Sequence, residues 1–355
     1  MPEPTPQEEM TSRINSLSSK LRRLQSETQL SGVRDSVEDL DTQIAGLKNT
    51  VKDLRGKGYV FGKGFEDQAS TLETQWRKVR PGVMLEIQNQ PPRLSQGLRP
   101  LEAQMAQIQA RATNPSAVKY AVDKLENELE AFDGKVSAAN SAVRGMFDSI
   151  SSEAQSFKST LEKIDKMLQQ FAAASFRLLP SEGMLMAVKA AYSTDEKIEK
   201  ADPDGILFLT DQRLLFEQNE EVATKKILFI TTEKQKVQKL LLEVPLAQIE
   251  KTQANKKGLF GHEDHLALTF KSGAPVYQAW FHLDGQDSNE WQAMIGRACT
   301  GDCEGDRAVA VDPEQVKKQK SAPSQCPNCG APMNQVVLRG MDSITCAYCQ
   351  FVVRL

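Results

Sequence analysis

The stretch NPSAVKYAVDKLENELEAFDGKVSAANSAVRGMFDSISSEAQSFKSTLEKIDKMLQQFAAASF, Asn114 to Phe176, decides the fold of this chain. Asn114 can cap a helix, and Pro115 suits the first helical position, where its missing N–H costs nothing. Apolar residues then recur at alternating spacings of four and three: Val118, Val122, Leu125, Leu129, Phe132, Val136, Ala139, Val143, Met146 and Ile150. After Glu153 the series resumes with Phe157, Ile164, Met167 and Phe171, and Leu161 and Leu168 widen the stripe. A period of ~3.5 residues sustained this long predicts a coiled-coil or long-bundle helix, roughly 90 Å in length at the α-helical rise.

Upstream, the start from Met1 to Met10 is rich in Pro and Glu, and residues 1 to 7 read as a disordered tail. Ile14, Leu17, Leu21 and Leu24 begin a helix, the register slips near Ser31-Gly32, and Val33, Val37, Leu40, Ile44, Leu47, Val51 and Leu54 resume it. The glycine-rich tip at 56–64 allows a chain reversal. Phe65, Ala69, Leu72, Trp76 and Val79 restart a heptad, Pro81-Gly82 and Pro91-Pro92 interrupt it, and Leu94, Leu98, Leu101, Met105 and Ile108 carry it on. The simplest arrangement over 8–177 is an antiparallel, up-down-up coiled-coil bundle. A homo-oligomer formed through the coiled coil is the rival, and both can coexist. The tip is no phosphate loop: Gly58 to Gly62 is one residue short of that spacing, and no Ser or Thr follows the Lys. Its Tyr59, Val60 and Phe61, between Lys57 and Lys63, have two readings. They are an exposed contact for a membrane or partner, or they fold back onto the neighbouring helix ends.

At Leu179-Pro180 the period changes. Met184 to Tyr192 is β-like, and Gly205 to Phe216 reads as strand, tight turn, strand, with Asp211 in the turn. Strands follow at Lys239–Val244, Ile249–Ala254, Leu266–Phe270 and Tyr277–Leu283, and Asp287 or Ser288 caps a last helix bearing Trp291, Met294, Ile295 and Ala298 on one face. The turn Leu209-Thr-Asp-Gln-Arg-Leu214, the Gly258-Leu-Phe-Gly261 loop and the Trp-bearing final helix resemble the bacterial pleckstrin-homology-like (PH-like) and GRAM-type domains over about 178–299. The resemblance implies a seven-stranded PH-like β-barrel with a C-terminal capping helix, and a lipid- or protein-binding module rather than an enzyme. Phosphoinositide-binding members carry a basic motif where this chain has the mostly acidic Ser193 to Asp204. Lysines cluster instead at Lys225, Lys226, Lys234, Lys236 and Lys239, either a solvated face or a contact for an anionic headgroup or acidic partner.

Residues 300–322 are polar and read as a flexible linker, with Cys299 and Cys303 as isolated thiols. Cys326-Pro-Asn-Cys329 and Cys346-Ala-Tyr-Cys349 then supply four soft ligands from two knuckles, the pattern of a structural Zn2+ site. This segment, 323–355, resembles a zinc ribbon of the Cys-Pro-x-Cys-Gly type, with Gln350 where a Gly usually follows the second knuckle. So short a segment cannot bury enough core to fold alone, so metal binding would supply the folding free energy.

The fold class expected is therefore multidomain α plus β. The net charge of −3 argues against a general nucleic-acid binder, and no run approaches the ~18 apolar residues of a membrane span. The cysteine usage and the lack of a signal-peptide core point to a cytoplasmic protein, peripheral to membranes if the barrel binds lipid. No nucleophile elbow, zincin helix or dinucleotide fingerprint is present, and His262, His265 and His282 read as surface histidines. The expected function is a non-enzymatic scaffold or adaptor with protein partners and an anionic membrane surface as a second class of contact. Nucleic-acid binding through the zinc ribbon is the alternative, disfavoured because the ribbon's basic residues are only Arg339 and Arg354.

Overall fold

The computed structural model describes residues 5–227, 230–258, 262–312, 322–339 and 341–355; of residues 115, 222–227 and 230–234 it describes the backbone alone. The chain divides into two compact units, Met1–Thr50 with Glu66–Thr160, and Val51–Phe65 with Leu161–Leu355. These do not follow the boundary expected near 177, because the glycine-rich tip and the last turns of the long helix belong with the strands.

Five helices precede the strands: α1 (Pro6–Glu27), α2 (Ser31–Gly56), α3 (Phe65–Ala110), α4 (Pro115–Gly145) and α5 (Asp148–Ala173). Helix α1 begins inside the segment expected to be disordered. Thr5 and Glu8 form a reciprocal capping box, the Glu8 carboxylate accepting the Thr5 N–H at 2.8 Å. The register slip near Ser31 is a helix break, in which buried Leu30 takes a left-handed φ of 52°. Helix α1 runs parallel to α4: Arg13 pairs with Asp123 and Glu126, and one face further along Arg23 pairs with Asp133. Antiparallel contacts are Lys48 to Glu73 between α2 and α3, and Gln104 to Glu128 between α3 and α4. This is the up-down-up order, and the apolar stripes of α1, α3 and α4 (Leu17, Leu24, Leu98, Met105, Val122, Leu125) close on one another.

Two expectations fail in this unit. Helix α3 is not interrupted: it runs through Pro81, Pro91, Pro92 and Pro100. Each proline forfeits one backbone hydrogen bond, and the buried Val83, Ile87, Leu94 and Leu98 hold the turns together. The long helix, in contrast, breaks between Gly145 and Asp148, which shifts the stripe by one residue. Phe147 is buried against Trp76 at 6.1 Å between centroids, while Met146 is 39 % exposed and Ile150 half-buried. Phe132, buried in the same stripe upstream of the break, is the better probe. Phe132→Glu is expected to destabilise the helical unit by at least about 3 kcal/mol, because it removes a large buried ring and buries an unpaired charge. Urea unfolding followed by circular dichroism reads this, and an unchanged midpoint would place that face in solvent.

The second unit holds a seven-stranded antiparallel sheet: β1 (Met184–Ser193), β2 (Asp204–Thr210), β3 (Arg213–Ile227), β4 (Ile230–Pro245), β5 (Ile249–Lys257), β6 (Glu263–Phe270) and β7 (Gln278–Leu283), in the order β4-β3-β2-β1-β7-β6-β5. Among the described residues β4 and β5 do not pair, so the sheet is not the closed barrel expected. The reason lies in the helix α6 (Ser288–Thr300), capped by Asp287, which packs Trp291, Ile295 and Ala298 over β5 and β6. The side-chain amide oxygen of its Gln292 accepts the Ala254 N–H of the β5 edge, so helix covers edge where a ladder would have closed it. Ile206, Leu207, Phe208 and Leu209 are buried on both faces of β2: Tyr192, Phe216 and Phe281 stack on the inner side, and Phe171 and Phe176 from the end of α5 cover Phe208. A small sheet, β8 (Ser343–Thr345) with β9 (Val352–Arg354), closes the chain.

The linker expected at 300–322 is folded over its first part. Gly301 ends α6 with φ 79°, a 3-10 turn runs Asp302–Asp306, and Cys303 and Arg307 are buried. Residues 313–321 lie outside the described residues, as do 259–261 of the Gly258 loop.

Candidate metal centre

Two tight turns bring four thiols together in the C-terminal segment. In the first, the Gly330 N–H bonds the Cys326 carbonyl at 2.8 Å, and in the second the Gln350 N–H bonds the Cys346 carbonyl at 3.0 Å. The residue after each knuckle is left-handed: φ is 72° at Gly330 and 58° at Gln350. The departure from glycine at 350 is thus accommodated in the same backbone geometry, at some conformational cost. Cys326, Cys329, Cys346 and Cys349 have their Sγ atoms within 4.8 Å of one another, with Cys326–Cys349 at 3.6 Å and Cys329–Cys346 at 3.7 Å. A tetrahedron with Zn–S bonds of ~2.3 Å has S···S edges of ~3.8 Å, so the set fits a closed tetrathiolate site. Disulfides it does not fit, and all six cysteines are free thiols. The Asn328 amide, followed by the Phe351 backbone, draws the Cys349 thiol down to about 6. The Ala331 backbone pulls Cys329 the same way, but the neighbouring thiols outweigh it and push that thiol up to about 12. Such a cluster sheds its protons fully only to a cation. Cys326, Met333, Ile344, Cys346 and Val353 form the small core around it. Cys299 and Cys303 take no part in the cluster; burial raises both thiols.

The ribbon is docked on the sheet through a charged node that sequence reading missed. Asp211, in the β2–β3 turn, is wholly buried. Its carboxylate accepts the Gly183 N–H at 2.8 Å, the Arg339 guanidinium of the ribbon at 2.6 Å and, closer still, the Arg307 guanidinium. Both arginines also donate to the Ser181 carbonyl. Beside it Arg213 is held by Glu182 in two bonds of 2.8 Å, and the Thr210 hydroxyl donates to the same carboxylate at 2.6 Å. The Thr-Asp-x-Arg of the β2–β3 turn therefore organises three chain segments: 177–183, 307 and 339. The signal was in the motif, since three polar residues in an otherwise apolar run need buried partners.

The tip residues are in the same unit and are not exposed. Arg55 donates to the carbonyls of Tyr59, Phe61 and Gly62, folding the tip back. Tyr59 is 8 % exposed and Phe61 2 %; Arg307 lies over the Phe61 ring at 4.9 Å, and the Val60 carbonyl accepts the Ala308 N–H. Gly183 is required beneath it, because a Cβ there would lie 2.5 Å from the Phe61 ring. The reading of Tyr59, Val60 and Phe61 as a membrane or partner contact does not hold, since the arginines and the chain after α6 bury the two rings and leave Val60 half-buried; the fold-back reading is the one observed. Burial, aided by Asp306, pushes the Tyr59 hydroxyl up to about 12, against the opposing charge of Arg55. Its pKa is raised on folding, so the stability it confers is complete below pH ~10 and is lost as pH rises to about 12. A loss of stability between those values that Tyr59→Phe abolishes, read by thermal melts along a pH series, is the expected result. An identical profile in the variant would show the hydroxyl to be solvated.

Of the lysines, Lys236 is exposed on β4 opposite Glu221 of β3, on a two-stranded extension that runs beyond the rest of the sheet. The backbones of Lys225, Lys226 and Lys234 lie on the same extension, and their side chains are outside the described residues.

No protein-family model matches the chain, nor does any curated protein. Among solved structures, the Vps36 N-terminal PH domain is similar at TM-score 0.26 and 15 % identity, over 37 % of this chain and 90 % of that one. The DH/PH domains of PDZ-RhoGEF, in a crystal structure of their complex with GTP-gamma-S activated RhoA, are similar at TM-score 0.26 and 10 % identity, over 83 % and 94 %. Those of p115-RhoGEF follow at 0.21 and 12 %, over 84 % and 98 %. Superpositions this loose carry no argument about fold or activity.

Proposed function

We propose that the chain is a non-enzymatic adaptor, in which a helical module carries a PH-like binding sheet and a zinc ribbon held on it, acting in the cytoplasm and peripherally at membranes. The observation behind this reading is a groove of about 670 Å³ shared by sheet and ribbon, lined by Pro245, Pro275, Met333, Leu338, Met341, Ile344 and Tyr348. Its lining is mostly apolar, with Glu243, Gln248 and Gln335 among the polar residues, and with Tyr348 71 % exposed it suits a short, mainly apolar segment of a protein partner. A closed set of four thiolates leaves no coordination position for a substrate, which favours binding over catalysis. The lysine-bearing β3–β4 extension supplies a second contact for an anionic surface, each lysine contributing ~1 kcal/mol near an anionic membrane. Nucleic-acid binding has less support, since Arg339 is committed to Asp211 and so withdrawn from phosphate contact.

The test is capture of partners from the native host with the wild-type chain and with Leu338→Ser/Tyr348→Ser. A partner retained by the first and lost by the second supports the groove; equal capture by both overturns it. Flotation with anionic and neutral vesicles tests the extension separately, through Lys225, Lys226, Lys234 and Lys236 changed together to Glu.

A further inference from the structure

Glu263, His265 and His282 stand together on the outer face of the sheet. Glu263 and His265 are two residues apart on β6 and so share a face, and His282 is the direct cross-strand partner of His265 on β7. The imidazoles are stacked, 4.8 Å between centroids and 19° from parallel, and one donor atom from each of the three side chains lies within 4.8 Å of the others. The Glu263 carboxylate oxygen is 3.4 Å from His265 Nε2. That is long for a charge-assisted hydrogen bond, yet it is the ~3.4 Å that separates two ligands sharing a tetrahedral ion at ~2.1 Å. Burial lowers the pKa of His265, and His282 and Lys257 add to this against Glu263. Lys257, opposite Glu263, lies over the Trp280 ring at 5.5 Å from its centroid.

We propose that these residues form a second metal site, a two-histidine, one-carboxylate set for a borderline first-row divalent cation such as Zn2+ or Co2+. Binding would draw the three donor atoms from within 4.8 Å of one another to the ~3.4 Å of ligands on a shared ion, and the set leaves at least one position to water. The site is independent of the thiol cluster and chemically distinct from it.

Full-length protein loaded with zinc at its thiols, titrated with Co2+ by calorimetry and visible absorption, tests this. One further equivalent is expected, with d–d bands and without the thiolate-to-cobalt charge transfer that the cysteine cluster would give. His265→Asn and His282→Asn, each on the outer face away from the buried Leu266, Leu268 and Phe281, should each abolish that equivalent, and His262→Asn should retain it. In the wild-type protein, Co2+ should selectively shift or broaden the His265 and His282 ring resonances, a readout that needs no variant. No further equivalent, or one that persists in both variants with these resonances unmoved, overturns the site.

Discussion

The wild-type chain should be purified with about one zinc per molecule, and protein carrying Cys326→Ser together with Cys349→Ser without it and with residues 322–355 unfolded. The core around the four thiols is five buried residues, two of them the cysteines themselves. Hydrophobic burial on that scale cannot offset the ordering of thirty-odd residues, whereas a structural zinc contributes ~10–16 kcal/mol at neutral pH. Metal analysis gives the stoichiometry, and loss of dispersed amide resonances from 322–355 gives the unfolding. Wild-type protein that is iron-loaded, or metal-free without any chelator, would remove the zinc assignment. Chelation should reproduce the double variant and leave the seven-stranded sheet folded, since that sheet has its own core.

The second large effect is expected at Glu182. Glu182→Leu leaves Arg213, 6 % exposed at its side chain, buried with only Glu243 at the edge of the sheet for compensation. It also strands the Leu179 N–H, which donates to the same carboxylate at 2.7 Å, and leaves the Thr210 hydroxyl, which donates to it at 2.6 Å, with the Arg213 carbonyl at 3.1 Å. Removing one partner of a buried ion pair costs ~3–5 kcal/mol, while replacing both by apolar groups is close to neutral. Glu182→Leu with Arg213→Met should therefore recover most of what Glu182→Leu loses. Urea denaturation followed by tryptophan fluorescence reports on this unit through Trp280 and Trp291. A single variant within 1 kcal/mol of wild type, on the scale of surface changes, would mean that the pair is solvated.

Much of this architecture is written in periodicity. The stripes of α1, α3 and α4, the strands β1, β2, β5, β6 and β7, and the capping helix with Asp287 at its head all follow from apolar spacing and cap chemistry. The four ligands follow from the knuckle spacing alone. What periodicity could not convey is which long-range polar groups meet. Asp211, Arg307 and Arg339 are separated by 96 and 128 residues, and no local rule pairs them. The length of β3 and β4 was hidden for a related reason: their outer halves are mostly Glu, Lys, Gln and Thr, without the alternation that a half-buried strand shows. The tip left two readings open because exposed aromatics and a pinned aromatic loop have the same composition. Only Arg55, four residues ahead of Tyr59, distinguished them, and its role depends on where its guanidinium turns. The open sheet was likewise invisible, because strand count does not reveal whether a helix or a ladder covers the last edge.

The Asp211 carboxylate has a consequence for how this protein can be cut and recombined. A fragment ending at Cys299, where the strand-and-helix pattern invites a boundary, deletes Arg307 and Arg339 in one stroke. The severed piece keeps every strand of its sheet but inherits a sunken anion with no counterion, together with an uncovered Phe61. Grafting the central sheet into another protein therefore means transplanting the tail along with it, and a lineage that lost the tail would first have to change the aspartate.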